Sequence, residues 1–389
     1  MTICCAPLVS NILRDQLFRA TKLQAERQAL LAAVAAALPE IQAEAAALDE
    51  TVKFPHAAFD RLRAIGLLTA SLPETLGGLG FGFGPEGAAS LLKLLMLLGE
   101  ASLPVARLYE AHINALQLIC RYGRENLASR AAQDSADGHL FALWVTDPPG
   151  GGGLLLNRDF VLAGGKAFCS GAGVATRALV TAQTVTGAQM LVVALPPQTR
   201  TLPSKIKLGG MRAAITGSID FQDMQIAPDD LLGAEGDYLR EPVFSAGAWR
   251  SAAAALGGLS ALVKLHRNEI LRRQREGDPH QQARFGQVVM AYETSRLWMR
   301  EAAQRACLED DTAEAIVAYI NLSRLAVETA CLDAMRFTQR SLGLSAFMAS
   351  NPAELLCRDL ATYLRQPAPD ETLTKAAGFY LMTGVKDVF

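Results

Sequence analysis

Two long stretches with apolar residues recurring at a period near 3.6 flank a middle stretch in which the period falls towards two, and this change organises the chain. From residue 10 to about 137, alanines and leucines alternate with charges at helical spacing. Leu13, Leu17, Leu23, Leu30 and Leu31 predict one long amphipathic helix that breaks near Pro39 and resumes to about Leu48. A second helix opens near Pro55, runs through Phe59, Leu62 and Ile65, and stops at Gly66. Residues 72–80 read as a loop, and 86–100 and 108–122 as further helices. The period changes near Gly138. Short β-favouring runs at 141–145, 160–162, 178–184, 190–195 and 218–221, punctuated by glycine and proline, predict a compact β region. From about Tyr238 helical periodicity returns at 251–275, 287–308, 312–342, 353–363 and in a short tail, 373–383. The expected fold is mainly α with a middle β domain: a helical domain at 1–137, the β domain at 138–237 and a second helical domain at 238–389.

Candidate chemistry concentrates in Leu162-Ala-Gly-Gly-Lys-Ala-Phe-Cys-Ser-Gly-Ala-Gly173. A strand at 157–162 turns through Gly164 and Gly165 into a second strand at 166–170. Alternation along it places Phe168 and Ser170 on one face, an aromatic surface beside a hydroxyl, which suits packing against a flat, heteroatom-rich ring. An aromatic in such a unit equally serves a core. Composition removes other classes. Half the residues are hydrophobic, a fifth are charged and the net charge is −2, which gives no reason to expect nucleic acid or an anionic membrane as partner. No uncharged, predominantly apolar run spans a bilayer, and Arg14 and Asp15 interrupt the opening residues, so neither membrane span nor signal peptide is expected. The seven cysteines (4, 5, 120, 169, 307, 331 and 357) are odd in number and form no C-x-x-C pair, which fits a reducing cytoplasm. No His/Cys/Asp/Glu grouping has metal-ligand spacing, and neither G-x-S-x-G nor a P-loop occurs. His112 lies on a helix with Ile113, Leu116 and Ile119 and reads as a satisfied or surface histidine.

Six stretches in order resemble the acyl-CoA dehydrogenase family. Phe54-Pro, Leu62-Arg-Ala-Ile-Gly-Leu-Leu and Leu72-Pro-Glu-Thr-Leu-Gly-Gly-Leu-Gly80 are similar to its N-terminal helix and Gly-Gly-x-Gly loop, and Arg121-Tyr-Gly123 to the end of a later helix. Phe141-Ala-Leu-Trp-Val-Thr-Asp-Pro148 resembles the strand ending Val-Thr-Glu-Pro, and residues 162–171 its Leu-x-Gly-x-Lys-x-Trp-Ile-Thr-x segment. Leu208-Gly-Gly-Met-Arg212 and the run from Phe221 to Gly233 resemble a Gly-x-Arg turn and the strand after it. The resemblance implies an N-terminal helical domain, a central β-barrel-like domain and a C-terminal four-helix bundle, with FAD between β domain and bundle, in a homodimer or homotetramer. It implies flavin contacts from Val145, Thr146, Phe168, Cys169 and Ser170, and contacts from Arg273 and Arg340 to a neighbouring subunit's FAD.

The chain departs from the family in places that carry chemistry. The Gly-Ala-Gly-Ser-Asp run that helps hold acyl-CoA becomes a glycine run at 150–153. The position of the usual catalytic glutamate holds Pro367, and the place near Gly247 where some members carry the base has no carboxylate. Asp370 and Glu371 are the candidate substitutes; both also suit the first turn of a helix. The leading expectation is an FAD-dependent oxidoreductase acting on CH–CH bonds of an acyl thioester or related small molecule, passing electrons to an acceptor. The alternatives are a flavin monooxygenase on the same fold, supplied by a flavin reductase, and a non-catalytic, flavin-poor relative.

Overall fold

A computed structural model describes residues 6–196, 201, 202, 207–307 and 311–385, the side chains of 6–17, 201 and 202 apart. Cys4, Cys5, Leu308 and the side chains of Leu13 and Leu17 lie outside it. Five helices come first: α1 (Ala6–Thr51), α2 (His56–Ala64), α3 (Gly84–Ala101), α4 (Leu103–Tyr122) and α5 (Glu125–Ala136). The strands follow: β1 (Phe141–Trp144), β2 (Leu155–Leu156), β3 (Val161–Ala163), β4 (Gly165–Cys169), β5 (Arg177–Gln183), β6 (Ala188–Ala194), β7 (Thr201–Leu202), β8 (Gly217–Asp220), β9 (Met224–Gln225) and β10 (Leu231–Leu232). The chain then returns to helix with α6 (Val243–Ala246), α7 (Trp249–Arg272), α8 (Pro279–Arg305), α9 (Ala313–Leu342), α10 (Pro352–Tyr363) and α11 (Pro369–Thr383).

Pro39 does not break α1, contrary to the sequence expectation. Leu30, Leu31 and Val34 before it and Ile41 after it are all buried in the main core. Packing on both sides of the proline offsets the lost backbone hydrogen bond, so the helix continues. α4 starts earlier than its periodicity suggested because Ser102 Oγ accepts the Val105 N–H, with Pro104 in the first turn. α8 likewise starts at Pro279, where the Asp278 carboxylate accepts from the His280 and Gln281 N–H groups. Phe18–Thr51 and Ala313–Phe347 do contain windows apolar and long enough to cross a membrane by length and composition. The second of these lies within α9 and the turn after it, and buries Ile316, Ile320, Val327 and Ala334 in the core.

The strands form two sheets. The larger runs β10-β6-β5-β2-β3-β9, with β1 also pairing β5 in parallel, Phe141 opposite Arg177 and Trp144 opposite Val180. The smaller is β4-β8-β7. Trp144, Leu162, Cys169, Val180, Ile219 and Phe221 fill the space between them.

The first helices and the last share one core. α3 crosses α7 at two glycines: a Cβ on Gly99 would lie 2.1 Å from Ala254 O, and one on Gly257 would lie 2.2 Å from Met96 O. The neighbouring run Ala252–Ala255 is wholly buried, so small residues let the two backbones touch. Gly257→Ala should therefore lower stability by about 1–3 kcal/mol through overpacking against a backbone that cannot rotate away. Gly286→Ala, in α8 with nothing within 4 Å of the added carbon, should raise stability by up to about 1 kcal/mol through helix propensity. Urea unfolding midpoints of the two variants check the opposite signs.

Candidate functional site

β4 is held to the end of β1 by a buried lysine. Lys166, 2% exposed, places its ammonium 2.6 Å from Asp147 Oδ1 and 3.2 Å from both Val145 O and Thr181 Oγ1. The Ala167 N–H donates to Thr146 O at 2.9 Å, so that carbonyl is already used, while the Thr146 side chain is exposed. The glycine run packs onto the same corner. A Cβ on Gly164 would lie 2.5 Å from Gly153 O, and one on Gly165 would lie 2.3 Å from Ile219 O. Glycine is needed there for close backbone approach.

The even alternation expected along β4 is broken. The pairing with β8 shifts between Lys166 and Cys169, and Phe168 adopts φ +54°. This bulge turns the Phe168 ring outward, 44% exposed, while Ala167, Cys169 and Ser170 are buried. Phe168 and Ser170 consequently do not share one open face. Burial pushes the Cys169 thiol up to about 12, with the Ile219 backbone and Lys166 opposing it, so it sits as an inert core group. Trp144 Nε1 donates to Ser170 O at 2.9 Å, which fixes the strand's end. Met211 (φ +58°) and Ile215 (φ +46°) bound the neighbouring turn, so three non-glycine residues in the left-handed region surround one corner, a pattern common at binding sites.

That corner meets both helical regions. The Gly171 N–H donates to Ala214 O, and a Cβ on Gly171 would lie 3.2 Å from Leu108 of α4. The Met211 N–H donates to Asp359 Oδ1 of α10 at 2.5 Å. Burial pushes the Asp359 carboxyl up to about 6, against the Met211 hydrogen bond. Arg358 beside it spans Asp49, Glu354 and Gly209 O, tying α1, α10 and the β region.

Next to Leu108, α4 presents a polar row. Arg107 Nη1 donates to Glu110 Oε2 at 2.5 Å, and Asn114 Nδ2 to Glu110 Oε1 at 2.6 Å. Arg250 of α7 donates through Nε to Asn114 and through Nη1 to Gln117 Oε1 at 2.7 Å. Glu110 is 3% exposed. Burial pushes the Arg250 guanidinium down to about 10, Glu110 working against it. Tyr363, at the end of α10, is 5% exposed and its hydroxyl has no partner among the described residues. Burial raises its phenol, with Glu110 adding to the shift and Arg107 opposing it, and the same two charges act on Tyr238. Sequence reasoning missed this group. Its signal was a polar residue at 107, 110, 114 and 117, which on an amphipathic helix reads as a solvated face.

The other sequence candidates lie apart from it. Arg273 is spent inside its own bundle, on Glu269, Leu342 O and Ser345 Oγ. Arg340 is exposed on α9. Asp370 and Glu371 are exposed in the first turn of α11. Pro367 is exposed, and its carbonyl accepts from Arg324 Nη2 at 3.0 Å. Two carboxylates on neighbouring helices are already paired, Glu110 with Arg107 and Glu328 with Arg365.

Comparison with known proteins agrees with the motif order. Residues 24–139 match the model of the acyl-CoA dehydrogenase N-terminal domain. The chain is 26% identical over 342 residues, 82% of its own length and 88% of the other's, to cyclohex-1-ene-1-carbonyl-CoA dehydrogenase of Geobacter metallireducens. Two solved structures share the fold. One is KijD3 in complex with FMN and dTDP-3-amino-2,3,6-trideoxy-4-keto-3-methyl-D-glucose (TM-score 0.78, 21% identity, 94% of this chain and 95% of that one). The other is the methanesulfinate monooxygenase MsuC of Pseudomonas fluorescens (TM-score 0.79, 21% identity, 92% and 98%). The class is that of acyl-CoA dehydrogenase-like chains, helical at both ends with a β region between. This protein is similar to the acyl-CoA dehydrogenases along most of its length, matches the model of their N-terminal domain at 24–139 and shares their fold.

His112 anchors this assembly. Its Nδ1 accepts the Phe141 N–H at 3.1 Å, which leaves Nε2 to donate to Leu68 O at 2.8 Å. Burial lowers its pKa to about 4 from an unfolded value near 6.5. The unfolded chain therefore binds more protons between these values, and the histidine's contribution is full above pH 6.5 and lost as pH falls through 4. His112→Phe should cost about 1–3 kcal/mol at pH 7.5 by orphaning two buried backbone groups. It should also flatten the fall in melting temperature between pH 6.5 and 4, which thermal unfolding across that range checks.

Proposed function

We propose that this protein is a flavin-dependent oxidoreductase that oxygenates a polar small molecule, rather than a dehydrogenase of acyl thioesters. The observation that carries the reading is that the position expected for the base holds Pro367, while the carboxylates at the corner where β4 meets α4 and α10 already accept hydrogen bonds, Asp359 from the Met211 N–H and Glu110 from Arg107 and Asn114. Removing the weakly acidic α-proton of a thioester calls for a positioned general base, which typically contributes about 10²–10⁴-fold. Pro367 accepts no proton, and its backbone is pinned by Arg324. Glu110 has both oxygens engaged, by Arg107 and Asn114.

The residues of the corner fit a flavin ring system. Phe168 offers an outward aromatic face, Thr146 an exposed hydroxyl, and Ser170 a hydroxyl with no partner among the described residues. Val145 and Cys169 contribute backbone only, the first through a carbonyl already taken by Lys166. These contacts serve FMN and FAD alike. Of the two arginines that would meet the phosphates of FAD, Arg273 is occupied within its own bundle, and Arg340 is exposed on α9. A flavin held at the corner, once reduced by a separate reductase, would supply the two electrons with which O2 and two protons give one oxygen atom to the substrate and one to water. The protein's own part is to hold the ring at Phe168, to bring the substrate against it from the α4 side, and to keep water from the corner through the packed Leu108, Met211 and Tyr363. Relatives bearing on each reading are MsuC for oxygenation and the Geobacter enzyme for dehydrogenation, the latter supported by identity along most of the chain.

Anaerobic mixing of the flavin-loaded protein with short, long and branched acyl-CoAs tests the choice. The flavin absorbance should persist for minutes with every thioester. Rapid bleaching that survives Asp370→Asn and is lost in Glu371→Gln would instead establish a dehydrogenase and name its base.

A further inference from the structure

The functional reading leaves open what keeps the corner in shape for a flavin, and the turn at 209–215 points to an answer. Met211 at φ +58° and Ile215 at φ +46° both lie in the left-handed region. For a β-branched residue such as Ile215 that conformation is an outlier, and it persists only where surrounding contacts enforce it. Two helices supply them. The Asp359 carboxylate of α10 accepts the Met211 N–H at 2.5 Å, and Arg358 Nη1 donates to Gly209 O at 2.7 Å. Gly210 is pressed against the same helix, since a Cβ there would lie 2.3 Å from Arg358 O and 2.6 Å from Thr362 Oγ1. From α1, Asp49 Oδ2 lies 2.9 Å from Arg358 Nη2 and 3.6 Å from Arg212 Nη1 of the turn itself. The other side of the turn is bonded to the residues that follow β4. Ala214 O accepts the Gly171 N–H at 2.8 Å, and Ile215 O accepts the Ala172 N–H at 3.1 Å.

We propose that Asp359 is a positioning residue for the flavin site: by holding the Met211 N–H it keeps the 211–215 turn in its left-handed form, and through that turn it fixes the chain that leaves β4 just beyond Phe168. This rests on the functional reading above and deepens it. Asp359 acts through Met211, Ala214 and Gly171, without touching flavin or substrate. A carboxylate suits the task because an ionised acceptor bonds an N–H more strongly than a neutral one does. Met211 is buried, so removing the acceptor orphans its N–H, and the turn then gains by relaxing towards another partner. The carbonyls of Ala214 and Ile215 move with it, and the Gly171 and Ala172 N–H groups lose their acceptors. Protonation of Asp359 has a smaller effect of the same sign. Burial pushes its carboxyl up to about 6, with Asp49 and Glu354 adding to the shift and the Met211 N–H and Arg358 opposing it.

Two measurements on the full chain test this: titration with FMN followed by flavin fluorescence, and hydrogen exchange without added flavin, read by peptide mass. At pH 7.5 Asp359→Ala should weaken FMN binding by at least about tenfold, the range of a hydrogen bond to a charged group. Asp359→Asn, a neutral acceptor of the same shape, should fall only about threefold short of wild type at pH 7.5 and match it at pH 5. Wild-type affinity should weaken by that same factor, about threefold, as pH falls from 7.5 to 5, while that of Asp359→Asn stays level. Peptides covering Met211 and Gly171–Ala172 should exchange at least about fivefold faster in Asp359→Ala than in Asp359→Asn. If Asp359→Ala fails to fold, the pH profiles of wild type and Asp359→Asn carry the test. Equal FMN affinity in the two variants, a wild-type profile parallel to that of Asp359→Asn, or a lowered melting temperature with unchanged exchange at Gly171 and Ala172 would overturn the proposal. The exchange data separate it from the flavin reading. Faster exchange in Asp359→Ala, in a protein that takes up no FMN, sinks only that reading; FMN uptake that is alike in all three proteins sinks only the positioning role.

Discussion

The structure depends on a row of half-buried polar side chains, centred on the buried Glu110, where α4 meets α7. Arg107, Glu110, Asn114, Arg250 and Gln117 are bonded in sequence, and the row ends on Phe81 O through Gln117 Nε2 at 3.3 Å. An ionised side chain withdrawn from water costs several kcal/mol unless it is paired and its remaining groups are satisfied. Here almost every group has its partner, which joins the first helical region to the last with more geometric definition than apolar packing gives. Apolar contact supplies the cohesion around it, chiefly where Gly99 and Gly257 let α3 and α7 touch. The polar row sets which faces meet, and the glycines set how closely.

From that seam the corner at β4 follows. Leu108 lies against Gly171, Ala214 accepts from Gly171, and Met211 donates to Asp359, one turn before Tyr363. Each link is short, so the strand carrying Phe168, the turn at 211–215 and the end of α10 are held as one unit. The place where a base for α-proton removal would be delivered is held too, by Arg324 on Pro367 O, and Pro367 offers no proton acceptor. What the corner presents instead is an outward aromatic ring on the β side and a surplus of donors on the α4 side.

Much of this fold was legible because periodicity and punctuation agreed. The change of period at Gly138, the stop at Gly66 and the paired glycines at 164 and 165 each mark a real boundary. The order of motifs carried the family resemblance. What could not be read depended on distant contacts. Pro39 reads as a break until the apolar residues on either side are seen buried against the core. Strict alternation put Phe168 and Ser170 on one face, and only the register shift against β8 shows the ring turned out and the serine in. The polar row on α4 has the spacing of a solvated face; Arg250 of α7, far away in sequence, covers it through Asn114 and Gln117. Asp370 and Glu371 were nominated by nearness in sequence to Pro367, and the structure sets both on the exposed first turn of α11.

The central claim is that a flavin would meet the Phe168 corner, where Asp359 and Glu110 are already engaged by Met211, Arg107 and Asn114. A crystal structure of the protein soaked with FMN tests it most directly. The account predicts the isoalloxazine against the Phe168 ring and within hydrogen-bond reach of the exposed Thr146. A flavin bound elsewhere, or one covered at this corner by Asp370 or Glu371 folded in from α11, would contradict it.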